Sequence, residues 1–178
     1  MAALALSACS TNPPPANFLA SGGNAPERAY RLGSGDKLKI NVFGEDNLSG
    51  PAEVTAQGTV VLPLAGEIPA RGQTLSEFRE NVRRRLADGY IKNPRVTIEI
   101  TNYRPIYVHG EVKGGGEFQY KSGLNLRDAI AMAGGYTYRA DQSYVYISRN
   151  GQPEAELPLT SNVAVLPGDN IRVPERFF

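Results

Sequence analysis

Residues 74–89 combine a helical pattern of apolar side chains with an explicit helix start. Thr74 and Glu77, three residues apart, match a capping box, in which each side chain accepts a hydrogen bond from the other residue's backbone N–H. The apolar residues that follow share one helical face: Leu75, Phe78, Val82 and Leu86. Gly89 is a typical terminator. A helix with a single apolar stripe must bury it against another layer of the fold.

Short strand patterns flank this helix on both sides. Before it, apolar and polar residues alternate through residues 38–42, which is the period of a half-buried strand. Strand-like runs follow at residues 53–55 and 59–64, with Gln57-Gly58 as the predicted hairpin connection. Residues 95–100 alternate again after the helix. The first unit is therefore predicted to be a β-hairpin, a helix and a strand.

The rest of the sequence repeats this mixture of short strands and one helix. Strands are predicted over residues 106–112, 117–120, 145–147, 154–159 and 169–174. Asn125 is a predicted N-cap for a short helix over residues 126–133, which Gly134 and Gly135 end. Asn150-Gly151 is typical of a tight hairpin turn. These patterns predict a second unit of the same kind.

The fold class predicted is α+β with two small units, residues 30–104 and 105–174. The turn and strand of residues 34–40 recur in miniature at residues 167–173. The final strand, residues 169–174, is assigned to the second unit, with packing back on the first unit as the alternative. Residues 175–178 are expected to form a tail.

Composition excludes several classes of function. The 178 residues carry 19 Lys and Arg against 18 Asp and Glu, a formal net charge of +1. A nucleic-acid binder needs a basic excess, so none is expected as a partner. The single cysteine, Cys9, excludes an internal disulfide and a cysteine-based zinc site. No stretch approaches the roughly 20 apolar residues of a membrane-spanning helix.

The N-terminal residues match an export and anchoring signal. Residues 1–9 are small and apolar, as in the end of a signal peptide, and residues 6–9, LSAC, resemble the bacterial lipobox. That resemblance implies lipidation of Cys9, and Ser10 after it implies the outer membrane by the sorting rule of lipoproteins. No Lys or Arg precedes the apolar segment, so we expect translation to start upstream of Met1. Residues 10–29 are rich in Pro, Gly, Asn and Ser, which predicts a flexible tether.

An ordered set of motifs resembles the polysaccharide export family. Residues 30–36, 42–44, 47–49, 58–68 and 93–96 resemble its export domain. Residues 108–112, Gly116, residues 126–130 and residues 133–135 look like the SLBB module, a β-grasp fold. The resemblance covers residues 30–174 and points to an outer-membrane polysaccharide export lipoprotein.

That resemblance implies a non-catalytic conduit for capsular polysaccharide or exopolysaccharide, without cofactor or metal. Relatives form rings of identical subunits and act with an inner-membrane copolymerase. Long members end in a pore-forming helix, whereas this sequence stops at Phe178. We therefore expect a separate outer-membrane pore protein as a further partner. The location implied is the periplasmic side of the outer membrane, held by the lipid anchor.

Candidate contact residues come from clustered tyrosines and arginines. Glycan or subunit contacts are predicted for Tyr136, Tyr138, Tyr144, Tyr146, Arg83 and Arg84. Tyr144 and Tyr146 alternate with Val145 and Ile147, which predicts an exposed aromatic strip, although packing within one subunit remains open. Structural roles in turns are predicted for Gly35, Asp36, Gly110, Gly134, Gly135, Gly168 and Asp169.

Two other functions remain open at this stage. One is a periplasmic module that binds polysaccharide or peptidoglycan without forming a conduit. The other is a carbohydrate-active enzyme that uses Glu45, Asp46 and Asp141, since glycoside hydrolysis needs two carboxylates across a sugar. The single histidine, His109, has no metal-ligating neighbour in sequence and is interpreted as a strand residue.

Overall fold

A computed structural model describes residues 30–159 and 163–176. Cys9, the leader, the tether and Phe178 lie outside the described residues. The elements, in chain order, are β1 Lys37–Val42, β2 Gly50–Glu53, β3 Thr59–Leu62, β4 Gly66–Pro69, α1 Leu75–Ala87, β5 Val96–Asn102, β6 Ile106–Gly110, β7 Gly116–Phe118, α2 Leu126–Met132, β8 Tyr144–Ser148, β9 Ala155–Pro158 and β10 Asn170–Val173. The predicted α+β fold of two small units is confirmed.

In the first unit, α1 packs against the strands and shares one hydrophobic core with them. The capping box is present, with Thr74 and Glu77 each accepting from the other's backbone, and the helix buries Phe78, Val82 and Leu86. A three-stranded antiparallel sheet has the order β2-β1-β5. Leu38, Ile40 and Val42 point from β1 into the core and are at most 1% exposed. The predicted stripe of α1 therefore fills the interior of this unit.

The hairpin predicted between residues 53–55 and 59–64 forms at its turn only, and the predicted strand pairing is wrong. β2 pairs with β1, whereas β3 pairs with β4 in a separate two-stranded sheet. The predicted turn at Gln57-Gly58 does form, because the Gly58 amide donates to the Thr55 carbonyl (2.9 Å) and the Thr55 amide donates to the Thr59 carbonyl (2.8 Å). The pairing does not continue along the two strands. Sequence reasoning also missed β4, because its four residues bury only Ile68 and so carry little periodicity.

The second unit is one five-stranded sheet with α2 beside it. The order is β7-β6-β10-β8-β9, in which β10 runs parallel to β6 and every other pair is antiparallel. Asn125 caps α2 and forms a capping box with Asp128. Leu126, Ala129 and Ile130 of α2 belong to the buried core of this unit. A mixed sheet covered by one helix agrees with the β-grasp-like fold expected from the resemblance.

The final strand lies within the second unit, so the alternative that it packs back on the first unit is wrong. β10 is the central strand of the second sheet, and its Ile171 and Val173 are at most 1% exposed. Gly110 permits this parallel pairing, since a Cβ there would lie 2.2 Å from the Val173 carbonyl oxygen, and its φ is +85°. Burial of two β-branched residues in the second core outweighs the similarity of the turn before β10 to that before β1.

The two units meet at residues that we call the joint, Tyr30, Tyr103, Arg104 and Tyr120. Tyr103 contacts Tyr30 and Tyr120 edge-to-face, with ring centroids 5.1 and 5.3 Å apart. The Arg104 amide donates to Asp36 of the first unit (3.1 Å), and its Nε donates to the Pro167 carbonyl of the second (2.9 Å). One linker arginine thus bonds to both units.

Across residues 30–159 and 163–176, neither helix has the length and apolar character needed to cross a bilayer.

Candidate functional site

The second sheet has one buried face and one that we call the open face. Because side chains alternate along a strand, Val108, Val145, Ile147 and Ile171 point into the core while their neighbours point away. The outward residues are half-buried or exposed and form the open face: Tyr107, His109, Tyr144, Tyr146 and Arg172. Strand register places Arg172 between His109 and Tyr146. The open face is therefore rich in tyrosine and centred on one arginine.

Contacts between side chains organise this open face. Tyr144 and Tyr146 meet edge-to-face with centroids 5.3 Å apart. The Arg172 guanidinium carbon lies 4.1 Å from the centroid of the Tyr146 ring. Arg172 Nε donates to both carboxylate oxygens of Glu154 at 3.1 Å, and this hydrogen bonding lowers the pKa of Glu154. The guanidinium of Arg172 thus stacks on the Tyr146 ring while Glu154 fixes its position, so these side chains are ordered before any partner binds.

Tyr136 lies in a different place, which we call the groove. This concavity of about 470 Å³ is lined by Arg127, Ile130, Tyr136, Gln142, Ser143 and Leu159. Burial raises the pKa of Tyr136, and the nearby Arg127 opposes that rise. The groove therefore places an aromatic ring and two aliphatic side chains beside a cation, an amide and a hydroxyl.

The other predicted contact residues join neither feature. Tyr138 is 88% exposed in the turn after Tyr136. Arg83 and Arg84 lie on the exposed side of α1 in the first unit, where Arg83 pairs with Glu80 (2.9 Å) and Arg84 contacts Asn81. The structure therefore brings together Tyr144 and Tyr146, and leaves Tyr136, Tyr138 and the two arginines apart from them.

Each predicted turn aspartate is fully buried and accepts an amide from three residues earlier. Asp36 accepts from Gly33 and Asp169 from Leu166, at 2.7 and 2.8 Å. Asp36 also accepts the Tyr30 hydroxyl (2.6 Å), whereas Asp169 forms a bidentate pair with Arg149, both bonds at 2.8 Å.

The predicted turn glycines adopt positive φ, namely Gly35, Gly110, Gly134, Gly135 and Gly168.

Sequence reasoning missed Arg104, Arg149 and Arg127. Arg149 lies 20 residues from its aspartate, and Arg104 lies 68 residues from Asp36. No local pattern signals such pairs. Arg127 belongs to the motif that resembles the SLBB module, and an arginine two residues after an N-cap is itself a visible feature.

The features considered for catalysis or metal binding are dispersed. Glu45 and Asp46 belong to the first unit, whereas Asp141 precedes β8 in the second and accepts hydrogen bonds from Ser143. Within the described ranges no three residues among His, Cys, Asp and Glu are grouped as metal ligands. The structure thus does not assemble the carboxylate pair considered from sequence.

Comparisons with known proteins identify both units. The family model described as polysaccharide biosynthesis/export protein matches residues 24–101, and the SLBB domain model matches residues 105–157. The first unit is thus an export domain and the second an SLBB domain, in that order. The chain belongs to the polysaccharide export family.

Curated relatives agree with this assignment. Exopolysaccharide production protein ExoF of Rhizobium meliloti (strain 1021) is 32% identical over 165 residues, covering 83% of this chain and 39% of ExoF. EPS I polysaccharide export outer membrane protein EpsA of Ralstonia nicotianae is 29% identical over 182 residues, covering 83% of this chain and 48% of EpsA. EpsA of Ralstonia solanacearum is 31% identical over 163 residues, covering 85% and 42%. The chain thus spans less than half the length of these relatives.

Proposed function

We propose that this protein is a non-catalytic component of a machine that exports capsular polysaccharide or exopolysaccharide. The observation that carries the proposal is the ordered pair of domains, export followed by SLBB, at residues 24–101 and 105–157. The names of the relatives, an exopolysaccharide production protein and two polysaccharide export outer membrane proteins, supply the class of polymer.

In this proposal copies of the chain assemble side by side as a ring-like conduit. The open face supports a subunit contact better than a glycan contact, because Arg172 covers one side of the Tyr146 ring and Tyr144 abuts it. Tyrosine and arginine are enriched in protein interfaces, where each combines a large apolar area with a polar tip. A ring requires a heterologous contact, so the open face would meet a different surface of the next copy.

The remaining parts of the proposal concern anchoring and partners. Lipidation at Cys9 would hold the protein at the periplasmic side of the outer membrane, and the tether would let the folded units stand away from the lipid. An inner-membrane copolymerase would supply polymer, and a separate pore protein would carry it across the outer membrane. Lipid anchoring by several acyl chains is stable, whereas one chain gives only marginal binding.

Deletion of the gene and measurement of secreted polysaccharide tests this function. We expect secretion to fall strongly on deletion and to return with the wild-type gene, because a conduit component is required for every chain exported. A Cys9→Ser gene should restore little. Unchanged secretion after deletion would refute the export role and favour a periplasmic glycan-binding module. Full rescue by Cys9→Ser would refute only the anchor.

A further inference from the structure

We propose that the groove on the SLBB domain binds a carboxylate-bearing saccharide, with Arg127 as the residue that recognises the acid. This inference rests on the proposed export function and deepens it, since it names an acidic polymer as the cargo class.

Arg127 is an exposed arginine at the first turn of α2. Its side chain is exposed and forms neither an ion pair nor a hydrogen bond with the residues that the structure describes, unlike Arg139, Arg149 and Arg172, each of which pairs with a carboxylate. It nevertheless lies close enough to Tyr136 to oppose the rise in the pKa of that hydroxyl. The planar guanidinium of arginine matches a carboxylate through two parallel hydrogen bonds. The groove therefore contains a cation available to an anionic ligand.

The groove combines apolar and polar side chains. Tyr136, Ile130 and Leu159 provide apolar area, and Gln142 and Ser143 provide polar groups beside it. A sugar ring has an apolar C–H face and a rim of hydroxyls, so it matches such a lining on both counts. Sites for small molecules usually enclose about 300–1,000 Å³, and the groove at about 470 Å³ lies within that range.

Polar groups of the groove can hydrogen-bond to sugar hydroxyls. The Ser143 hydroxyl donates its hydrogen to Asp141. The lone pairs of the Ser143 oxygen are therefore available to accept a hydrogen bond from a sugar hydroxyl. The Gln142 amide forms no hydrogen bond within residues 30–159 and 163–176, so both of its ends are available. The carboxylate of Asp141 is held by Ser143 and lies near the cation of Arg176, which offsets its repulsion of an acid. The groove thus has donors and acceptors for hydroxyls in addition to Arg127.

The test is a binding titration of the full-length protein in detergent with two matched probes. One probe is tetragalacturonic acid, and the other is its methyl ester, which has the same rings without the charge. We expect the acid to bind at least about fivefold more tightly than the ester, because only the acid pairs with the guanidinium. Arg127→Gln should remove this preference. Arg79→Gln, which changes an exposed arginine of α1 in the first unit, should keep it.

The position of the bound probe on the protein provides a second readout that does not depend on affinity. NMR shift changes on addition of the acid should centre on Tyr136 and Ile130. Equal affinity for the two probes, no binding of either, a preference that survives Arg127→Gln, or shifts centred on the open face would each overturn the proposal. Such a result would leave the export role intact if gene deletion still abolished secretion. Conversely, normal secretion after gene deletion would refute the export role, even if the protein still bound the acid more tightly than the ester.

Discussion

The two units use the same turn around a buried aspartate but neutralise the carboxylate differently. Asp36 and Asp169 are both fully buried, and each accepts the amide three residues earlier. Asp36 is satisfied further by a tyrosine hydroxyl and the Arg104 amide, whereas Asp169 faces the guanidinium of Arg149. The first arrangement links the unit to its neighbour through Arg104, and the second stabilises the unit internally. The same local turn therefore has two roles: it connects the two units at Asp36 and stabilises the interior of the second unit at Asp169.

The largest expected effect separates these two carboxylates. Asp169→Asn should lower the free energy of unfolding by about 3–5 kcal/mol, because it leaves a mostly buried guanidinium without its counter-charge. Asp36→Asn should cost only about 1–3 kcal/mol, since it weakens hydrogen bonds from uncharged donors. Chemical denaturation, followed by hydrogen exchange in each unit, measures both. Equal costs at the two positions would show that the difference in partners has no energetic consequence.

The glycines of the two turns give a second, smaller contrast. Gly35 and Gly168 have φ of +90° and +83°, so alanine at either position is strained by about 1–2 kcal/mol. A Cβ at Gly168 would also lie 2.7 Å from Arg104 Nε, whereas at Gly35 the nearest atom, Arg104 Cβ, is 3.9 Å away. Gly168→Ala should therefore cost about 1 kcal/mol more than Gly35→Ala in thermal or denaturant unfolding, the value of the displaced hydrogen bond. The reverse order would contradict the role of Arg104 at this turn.

Arg104→Ala tests whether the joint couples the units. The substitution keeps the amide bond to Asp36 but removes the side-chain bond to the Pro167 carbonyl and the packing of the guanidinium against Gly33 of the first unit. It should therefore cost about 1 kcal/mol and speed hydrogen exchange in both units.

Arg71→Ala is a matched control, because among the described residues Arg71 bonds only within the first unit, to Ser34 and Ala56 at 2.5 Å each. The control should speed exchange in the first unit only. Identical exchange patterns for the two variants would show that Arg104 does not couple the two units.

The smallest expected effect is a pH dependence confined to the first unit. Burial, followed by the hydrogen bond to Asp36, raises the pKa of Tyr30 above its ordinary value of 10.0. A proton held more tightly in the folded state stabilises that state, and this stabilisation is complete below pH 10 and lost as pH rises beyond it. Unfolding of the wild type should therefore become easier above about pH 10, and Tyr30→Phe should weaken that slope. A slope unchanged by the substitution would assign it to another group.

Sequence patterns predicted the elements better than their pairing. The caps at Thr74 and Asn125, and the turn at Asn150-Gly151 with φ of 53° and 72°, depend on contacts within a few residues and are confirmed. The partner of β3 depends on which strand it meets within the first unit, and that of β10 depends on which of the two cores it completes. No local signal encodes either choice. The open face could be predicted in part, because the alternation around Tyr144 and Tyr146 lies within one short strand. The groove could not, because Arg127 and Gln142 come from separate elements.

The central claim is that copies of this chain act together through the open face, and the native mass of the detergent-solubilised protein tests it most directly. We predict a multimer for the wild type and for Tyr90→Ser, whose side chain is 51% exposed in the first unit. The double variant Tyr144→Ser, Tyr146→Ser should dissociate towards the monomer, because truncated anchor residues weaken an interface most. A wild-type monomer in extracts of cells that secrete polymer normally, or a double variant that stays fully multimeric, would contradict the claim.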